Sequence, residues 1–266
     1  MNSPAEDGRR RPGQVPLTVI VTTHNEAVNI EACLRSVQWA EEILVIDSGS
    51  TDATVDLSVP LADGVLDHPY ESPARQKNWA IPQARLPWIL ILDADERVTP
   101  ALEGEIRRLL AEGPACRGYW IYRRNTFLGR EIHHGGWERD KVIRFFSRDH
   151  ALYKDVLVHE EMEVQGSLGV LKERMLHHSV RSLADYGKKM DRYSDWWAEE
   201  KAGKGRHAGP GTIMGHTIGR FWRMYLLRGG FRDGGHGLVL SMLASFSVFQ
   251  KYAKLWERDR REPDPD

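Results

Sequence analysis

The stretch WILILDADERV, residues 88–98, decides the fold of this chain. Its five leading apolar residues run without a polar break into Asp93, Ala94 and Asp95, as expected where a buried central strand ends at the edge of a sheet. Side chains two apart in an extended segment point to the same side, so the pattern predicts that Asp93 and Asp95 converge.

Two close carboxylates repel each other unless a cation or a proton lies between them. Hard oxygen ligands without a nearby cysteine suit Mg²⁺ or Mn²⁺ better than zinc, and such ions are usually held by one or two carboxylates together with substrate phosphates. A strand followed by a solvated acidic turn is the alternative interpretation, because a D-x-D triplet is short and has many false positives.

Outward from this stretch, strands and helices alternate in residues 17–98, the order that builds a parallel sheet with right-handed crossovers. Strands are predicted at residues 17–22, 43–46 and 88–92, and a short edge strand at 65–66. Asn25 or Asn29 is the expected cap of the first helix and Ser50 or Thr51 that of the second, while Thr99 and Pro100 open a later helix.

The second half of the chain changes texture twice. Residues 118–180 read as strands with many aromatic residues, and residues 181–258 read as helices separated by a glycine-containing linker at 203–211. The weakly polar run 238–249 is shorter than the ~20 residues that a membrane span needs. We therefore expect an α/β domain at 17–180, a helical extension at 181–258, and a loose tail at 1–16.

Charge and cysteine content bound the partners and the compartment. Residues 201–254 carry nine Lys and Arg against one acidic residue, Asp233, which leaves a local charge of +8 on a chain of net charge −1. Such a basic region suggests an anionic surface, either membrane lipid or nucleic acid. Cys33 and Cys116 cannot form a disulfide framework, and the polar N-terminal residues do not resemble a signal peptide, so we expect a reducing cytoplasm.

Polar residues follow three of the predicted parallel strands, and ligands bind beyond the carboxyl ends of such strands. The ends carry residues 22–26 (TTHNE), 47–50 (DSGS) and 93–95 (DAD), so one pocket is predicted there, with Arg75 and Lys77 available for phosphate oxygens. Neither GxGxxG after a strand nor GxxxxGK[ST] occurs, so a metal-assisted sugar-nucleotide site fits better than a dinucleotide or P-loop site.

These segments carry a resemblance to a known family. VIVTTHNEAVNIEACLRSV, EEILVIDSGSTDATVD, ARQKNWAI and WILILDADERV are similar to the nucleotide-sugar-binding half (here 17–98) of family 2 inverting glycosyltransferases with the GT-A fold. RRNTFLGREIHHGGWERDKVIRFF, LVHEEMEV, SLADYGKKMDRYS and FQKYAKLWE resemble the subgroup that includes bacterial lipopolysaccharide core β-1,4-glucosyltransferases. The resemblance implies a hexose, with glucose favoured, moved from a UDP-sugar to a membrane-anchored glycolipid, and an acceptor-side half at 118–180.

The resemblance also implies roles for individual residues. Asp47 matches the acid that binds uracil or ribose, and Asp93 with Asp95 match the metal and diphosphate site. The nucleotide cleft is completed by Thr22, Asn25, Glu26 and Ser48. His159 is the candidate that completes the metal shell, in competition with the pairs His133-His134 and His177-His178. For the general base we rank Glu160 first and Asp140 second, because the Glu-Asp pair that many members use is missing from its expected place.

Two other functions stay open, and the basic C-terminal part bears on both. A polyprenyl-phosphate sugar synthase would share the first half, although a long C-terminal apolar span would favour it; a non-catalytic membrane or nucleic-acid module would use the basic region alone. Strand-end acids repel phosphates without a metal, so we expect no nucleic-acid partner. Arg220, Arg223 and Arg228 alternate with aromatic residues of segment 221–226, which predicts peripheral docking on the inner, anionic face of the cytoplasmic membrane.

Overall fold

A computed structural model describes residues 13–154 and 162–260 of the 266-residue chain. The described residues form two compact units: unit 1 contains residues 13–121, 142–154 and 162–175, and unit 2 contains 122–141 and 176–260. This division differs from the linear one expected from the sequence, because residues 122–141 group with the C-terminal helices and not with the sheet-rich part.

The strands that precede and include the DAD segment form the parallel half of a mixed sheet. β1 pairs in parallel with both β2 and β4, and β2 pairs in parallel with β3 at the edge. Every β4 residue between Ile89 and Leu92 is buried, as the uninterrupted apolar run predicts for a central strand. The bounds are β1 Val15–Thr23, β2 Ala40–Asp47, β3 Gly64–Asp67 and β4 Trp88–Asp93.

The remaining strands of the sheet lie beyond β4. Among the described residues the order is β3-β2-β1-β4-β8-β6-β11-β5, with β7 paired to β6, and β8 is antiparallel to β4. Two further strands, β9 and β10, pair with each other in a separate antiparallel ladder. The bounds are β5 Glu96–Arg97, β6 Gly118–Phe127, β7 Arg130–Glu131, β8 Lys141–Ser147, β9 Ala151–Tyr153, β10 Met162–Val164 and β11 Leu168–Val180.

Four helices complete unit 1: α1 Ile30–Arg35, α2 Thr54–Ser58, α3 Pro73–Ala80 and α4 Pro100–Glu112. The predicted cap of α4 is confirmed, because the Thr99 hydroxyl accepts a hydrogen bond from the Leu102 N–H at 3.2 Å. Asn29 occupies the predicted N-cap position of α1 but forms no side-chain cap bond, and the prediction for α2 is wrong, because its N-cap is Ala53 and not Ser50 or Thr51. The loops before these helices instead bond to each other, as described below.

Unit 2 contains α5 Leu183–Gly203, α6 Pro210–Trp222 and α7 Gly234–Arg258, and a π-helical turn, Arg223–Leu227, continues α6. The Ser182 hydroxyl caps α5 by accepting from the Asp185 N–H at 3.0 Å, as its sequence predicts. α7 packs along both α5 and α6. No helix in the described part of the chain is both long and apolar enough to cross a membrane.

Candidate active site

The parallel strands of unit 1 bring the predicted strand-end residues together. In the sheet register Thr22 pairs with Asp93 across β1 and β4, and Thr23 pairs with Asp47 across β1 and β2. Thr22 and Asp47 are buried, whereas about a third of the Asp93 side chain (34%) remains exposed. The carboxyl ends of three neighbouring strands therefore form one polar edge, the position where open α/β sheets bind ligands.

Asp93 is surrounded by donors. Its Oδ1 accepts from the Thr22 hydroxyl at 3.1 Å and lies 3.0 Å from the Lys77 Nζ, and its Oδ2 accepts from the Arg144 guanidinium. Lys77 and Arg144 are almost completely buried, with 1% and 4% of their side chains exposed. Because a buried cation is costly unless it is paired, Asp93 stabilises both cations in the absence of a ligand.

Glu96 is the second acid of this cluster and is fully buried. One carboxylate oxygen lies 3.2 Å from an Arg144 nitrogen, and the other accepts from the Asp93 N–H at 3.0 Å. Two acids, Asp93 and Glu96, thus face two cations, Lys77 and Arg144. We call these four residues together with Thr22 and Asp47 the strand-end site; its two cations match the charges of Asp93 and Glu96, and Asp47 is a third acid.

Asp95 does not lie on an extended strand. Asp93 is the last residue of β4, Ala94 and Asp95 form a turn, and β5 begins at Glu96. The alternation argument for the convergence of the two carboxylates therefore does not apply, and the turn is fixed in another way. The buried Arg97 guanidinium donates to the Ala94 carbonyl and to the Asn29 carbonyl, both at 2.7 Å.

The loop after β2 is organised around Asp47. Its two carboxylate oxygens accept from the Ser50 N–H at 2.8 Å and from the Ser50 hydroxyl at 2.5 Å, while the Ser48 hydroxyl accepts from Gln76 at 2.6 Å. Asn25 adopts a left-handed conformation with φ 53°, and its N–H donates to the same Ser50 hydroxyl at 2.8 Å. The predicted nucleotide residues Asn25, Asp47 and Ser48 thus belong to one loop cluster.

Glu26 joins this cluster mainly through its backbone. Its N–H donates to the Thr54 hydroxyl at 2.8 Å, and its carboxylate accepts from Asn29 at 2.6 Å. The neighbouring Ala27 N–H donates to Asp52 at 3.1 Å. The bonds of Glu26 to Thr54 and of Ala27 to Asp52 tie the β1–α1 loop to the β2–α2 loop, whereas the Glu26–Asn29 bond lies within the first loop and engages the Asn29 side chain.

Arg75 and Lys77 have different environments although both were predicted to bind phosphate. Arg75 is half exposed and forms an ion pair with Glu71 one helical turn away, at 2.8 Å. Lys77 points into the strand-end site, where its Nζ also lies 5.6 Å from the centre of the Tyr153 ring. An exposed i,i+4 pair contributes only ~0.3–0.5 kcal/mol, so Lys77 is the stronger candidate for a phosphate ligand.

Cys33 lies beneath the site without being a nucleophile. Its Sγ lies 3.8 Å from the Asp93 carbonyl oxygen. Burial raises the pKa of its thiol from 9.0 to about 12, although the nearby Arg97 charge lowers it. Since the thiolate is the reactive form, Cys33 stays protonated and unreactive at neutral pH, in agreement with the core position expected from the sequence.

The candidates for the general base are unevenly described. Glu160 and the metal candidate His159 lie outside the described residues, so both stay predictions. Asp140 forms two hydrogen bonds of 2.9 Å with the Arg123 guanidinium and accepts from Asn125 at 2.8 Å. Burial alone would raise the pKa of Asp140, but Arg123 and Asn125 outweigh burial and lower it. A weakly basic, firmly bonded carboxylate is a poor general base, so Asp140 stays the second candidate after Glu160.

The competing histidine pairs have structural partners within unit 2. His134 Nδ1 lies 3.2 Å from an Asp233 carboxylate oxygen, and the His134 N–H donates to that carboxylate at 2.9 Å. His177 Nδ1 lies 2.6 Å from the Asn125 side-chain oxygen. Both contacts are of the kind that satisfies a structural histidine, and the metal role of His159, which lies outside the described residues, stays a prediction.

The donor set at the strand-end site fits a hard divalent ion that arrives with its substrate. Within residues 13–154 and 162–260, no group of three or more His, Cys, Asp or Glu side chains is arranged to hold a metal by itself. Asp93 and Asp95 would offer one or two carboxylates, the number that Mg²⁺ usually takes from a protein when phosphates provide other ligands. Lys77 and Arg144 are paired with Asp93 and Glu96, so a divalent ion at this site would call for an anionic partner such as a phosphate.

Comparison with known proteins places this site in a family. The model of "Glycosyl transferase family 2" matches residues 18–165, more than half of the 266 residues. The chain belongs to this family, and it is a glycosyltransferase.

Relatives extend the similarity to almost the whole chain. A lipopolysaccharide core biosynthesis glycosyltransferase of Rhizobium meliloti, LpsC, is 26% identical over 95% of this chain and 96% of its own. An uncharacterized glycosyltransferase of Rickettsia bellii is 27% identical over 91% and 86%. The crystal structure of S. aureus TarS has a TM-score of 0.46 and 15% identity, covering 69% of this chain and 40% of that one.

The predicted family is therefore confirmed, and so is the α/β fold class of GT-A type with C-terminal helices. Sequence reasoning missed two residues of the strand-end site, Arg144 and Glu96. An arginine in the apolar strand KVIRFF and an acid directly after DAD were the available signals. Neither residue has a partner nearby in sequence that would have suggested a buried ion pair.

Proposed function

We propose that this chain is a metal-dependent inverting glycosyltransferase that moves a hexose, glucose by preference, from a UDP-sugar to a membrane-anchored glycolipid such as lipopolysaccharide core. The observation that carries the proposal is the strand-end site, where Asp93 meets two buried cations beside Asp47. The glycolipid acceptor is supported by the Rhizobium meliloti relative, whose name assigns it to lipopolysaccharide core biosynthesis.

The chain's own residues bind the donor in this scheme. Asp47 accepts hydrogen bonds from the uracil or ribose, within the loop cluster that also contains Asn25 and Ser48. Lys77 and Arg144 turn from Asp93 to the diphosphate oxygens, because a doubly charged phosphate is a stronger partner than one carboxylate. Thr22 and Glu26 complete the cleft. Arg75, half exposed and paired with Glu71, has at most a peripheral role.

Asp93 and Asp95 would hold Mg²⁺ or Mn²⁺ together with the diphosphate, with His159 as a further ligand. The bound ion would supply charge stabilisation to the departing diphosphate. On the acceptor side, the Glu160 carboxylate takes the proton of the attacking hydroxyl. That oxygen bonds to the anomeric carbon as the bond from this carbon to the phosphate oxygen breaks, and the nucleoside diphosphate leaves.

The acceptor side implies a place in the cell. A lipid-borne acceptor and a nucleotide sugar meet at the inner face of the cytoplasmic membrane, so the enzyme acts there as a peripheral protein. The basic helical region 181–258 serves this association, and nucleic acid is not a partner. In this scheme residues 17–180 carry out catalysis, and the helices of residues 181–258 associate with the membrane.

A panel of nucleotide sugars tests the proposal. The protein is incubated with each sugar and Mn²⁺, and nucleoside diphosphate release and protection against heat unfolding are measured. We expect one UDP-hexose to give both signals, and a Glu160→Gln variant to keep the protection while losing release to a glycolipid acceptor. Failure of every nucleotide sugar to protect or turn over would refute the proposal. Transfer to a polyprenyl phosphate in preference to a core glycolipid would identify the related lipid-phosphate enzyme.

A further inference from the structure

A second cation cluster lies inside unit 2, in a cavity of ≈ 410 Å³ that α5, α6 and α7 surround. Arg220 and Arg223 reach it from α6 and its π-helical continuation, and Lys251 reaches it from α7. We call it the helical cavity. Among the described residues no acidic side chain lines it, and none forms an ion pair with these three cations.

The absence of acids distinguishes the helical cavity from its surroundings, because other cations of the C-terminal helices form ion pairs. Lys254, three residues after Lys251, lies 2.6 Å from Asp191 and 2.8 Å from Asp195. Lys204 lies 2.7 Å from Glu200. These helices therefore contain acids that pair with lysines, but the acids lie outside the cavity.

Burial and mutual repulsion lower the pKa of two of the three cavity cations. Burial, followed by repulsion from Arg228 and Arg223, lowers the pKa of Arg220, against the opposing influence of Tyr186. Burial, followed by repulsion from Arg220, lowers the pKa of Lys251. Partly desolvated cations that repel one another are stabilised when an anion binds between them.

The walls of the cavity leave room for such an anion. The His216 ring stacks on Tyr252 with centroids 4.5 Å apart, and Tyr252 also contacts Trp197 at 4.9 Å. Gly215 and Gly219 form the α6 side, and a Cβ atom at either position would have no neighbour within 4 Å. A rigid aromatic wall thus faces an open glycine wall, with the cations between them.

The two helices that line the cavity also carry exposed apolar side chains at helical spacing. Met214, Ile218 and Trp222 on α6 are 53%, 47% and 53% exposed. On α7 the exposed row consists of Leu238, Met242, Phe246 and Phe249. Helices of a globular protein normally bury such rows, whereas helices that lie in a membrane interface combine them with Lys and Arg.

We propose that the helical cavity is a headgroup site that takes the phosphate of an anionic phospholipid, while the exposed rows of α6 and α7 enter the acyl boundary. Charge complementarity selects the phosphate, and the exposed apolar rows on the same two helices favour a lipid over a free ion. This goes beyond the membrane association expected from sequence, which distributed the attraction over Arg220, Arg223 and Arg228. It rests on the proposed function only for its purpose, the delivery of the enzyme to a lipid-borne acceptor.

Arg228 has a different environment. A Cβ atom on Gly136 would lie 2.3 Å from an Arg228 guanidinium nitrogen, so this side chain packs against the backbone of residue 136. Arg228 lines a separate cavity together with Glu138, an acid. We therefore exclude it from the headgroup site.

Two matched double variants of the full chain test the site. Arg223→Gln with Lys251→Gln removes two cavity cations, and Lys204→Gln with Lys254→Gln removes two cations that are paired outside it. Sedimentation with phosphatidylglycerol-containing vesicles at physiological salt is the measurement. The cavity variant should bind roughly 30-fold more weakly than the parent, since each basic residue at an anionic surface contributes ~1 kcal/mol. The control variant should lose less than roughly threefold, because surface ion pairs contribute little.

Equal losses in the two variants would show diffuse attraction and overturn the headgroup site, as would a parent that never binds the vesicles. Inorganic phosphate at constant ionic strength separates the sources of the anion: it should displace the parent from vesicles. Phosphate binding that depends on Arg223 and Lys251 without vesicle binding would mean a free-ion site and also overturn the proposal. Vesicle binding needs no nucleotide sugar. If the parent binds vesicles but no nucleotide sugar protects it or is turned over, the proposed function is rejected and the headgroup site is not.

Discussion

The strand-end site of unit 1 and the helical cavity of unit 2 both gather cations, which are buried in the first and half-buried or exposed in the second, but only the first also contains acids. Lys77 and Arg144 are paired with Asp93 and Glu96, whereas Arg220, Arg223 and Lys251 have no described acid beside them. A balanced cluster is stable without ligand and must exchange its partners when a diphosphate binds. An unbalanced cluster is ready for an anion and loses stability without one.

The largest effect should follow from removing an acid of the DAD segment. Asp95→Asn should lower turnover by at least roughly 10²–10³-fold, the size expected when a main electrostatic stabiliser of the transition state is lost. The fold should survive, because Asp95 lies in a turn that Arg97 holds through the Ala94 backbone carbonyl. Steady-state kinetics and circular dichroism check both statements. Full activity in EDTA, or in this variant, contradicts a metal role.

A second prediction uses the charge balance itself. Lys77→Met leaves Asp93 with one cation fewer and removes a phosphate ligand, so UDP affinity in the presence of Mn²⁺ should fall by ~1.5–3 kcal/mol, or roughly 10- to 150-fold. Isothermal titration calorimetry measures the affinity. Arg75→Met, two residues away and paired with Glu71 at the surface, is the matched control and should change it less than threefold. Equal losses of UDP affinity in the two variants would mean that the buried Lys77 is not a stronger phosphate ligand than the exposed Arg75.

Asp47→Ala probes the nucleotide end of the same site. The carboxylate is a buried acceptor at the end of β2, so its loss should weaken UDP binding by ~1.5–3 kcal/mol. Asp47 also accepts two hydrogen bonds from Ser50, so Ser50→Ala serves as the control for a loosened loop. Calorimetry should show a loss of affinity in Asp47→Ala beyond that of Ser50→Ala. An unchanged UDP affinity in Asp47→Ala would show that the nucleotide does not bind at this strand end.

The smallest expected effect concerns Cys33 and the stability of unit 1 in alkali. Above pH 9 the unfolded thiol loses its proton, whereas the folded thiol keeps it until about pH 12, so the free energy of unfolding falls with rising pH in this window. One group contributes at most ~1.4 kcal/mol per pH unit. Denaturant unfolding of the parent and of Cys33→Ala at pH 8 and pH 10 measures the difference. Identical pH slopes in both proteins would show that Cys33 does not contribute.

The sequence predicted the sheet well because its information there is local. Residues 89–92 and the strand 43–46 are buried over their whole length, and burial on both faces leaves a continuous apolar pattern. The side-chain caps expected for α1 and α2 do not form, for the opposite reason. The Asn29 side-chain oxygen accepts from Arg97, and the Ser50 hydroxyl accepts from the Asn25 N–H; both partners are distant in sequence, so no pattern within either loop indicates them.

The sequence by itself determined the family, the fold class and two of the three acids of the strand-end site, Asp47 and Asp93, because these depend on short motifs placed at strand ends. Only the tertiary structure decided which cations face those acids: Lys77 and not Arg75, together with Arg144 from a strand 51 residues farther along the chain. It likewise decided which basic residues of the C-terminal helices are paired and which line a cavity. Pairing of charges is a property of distances between side chains, and composition fixes only their number.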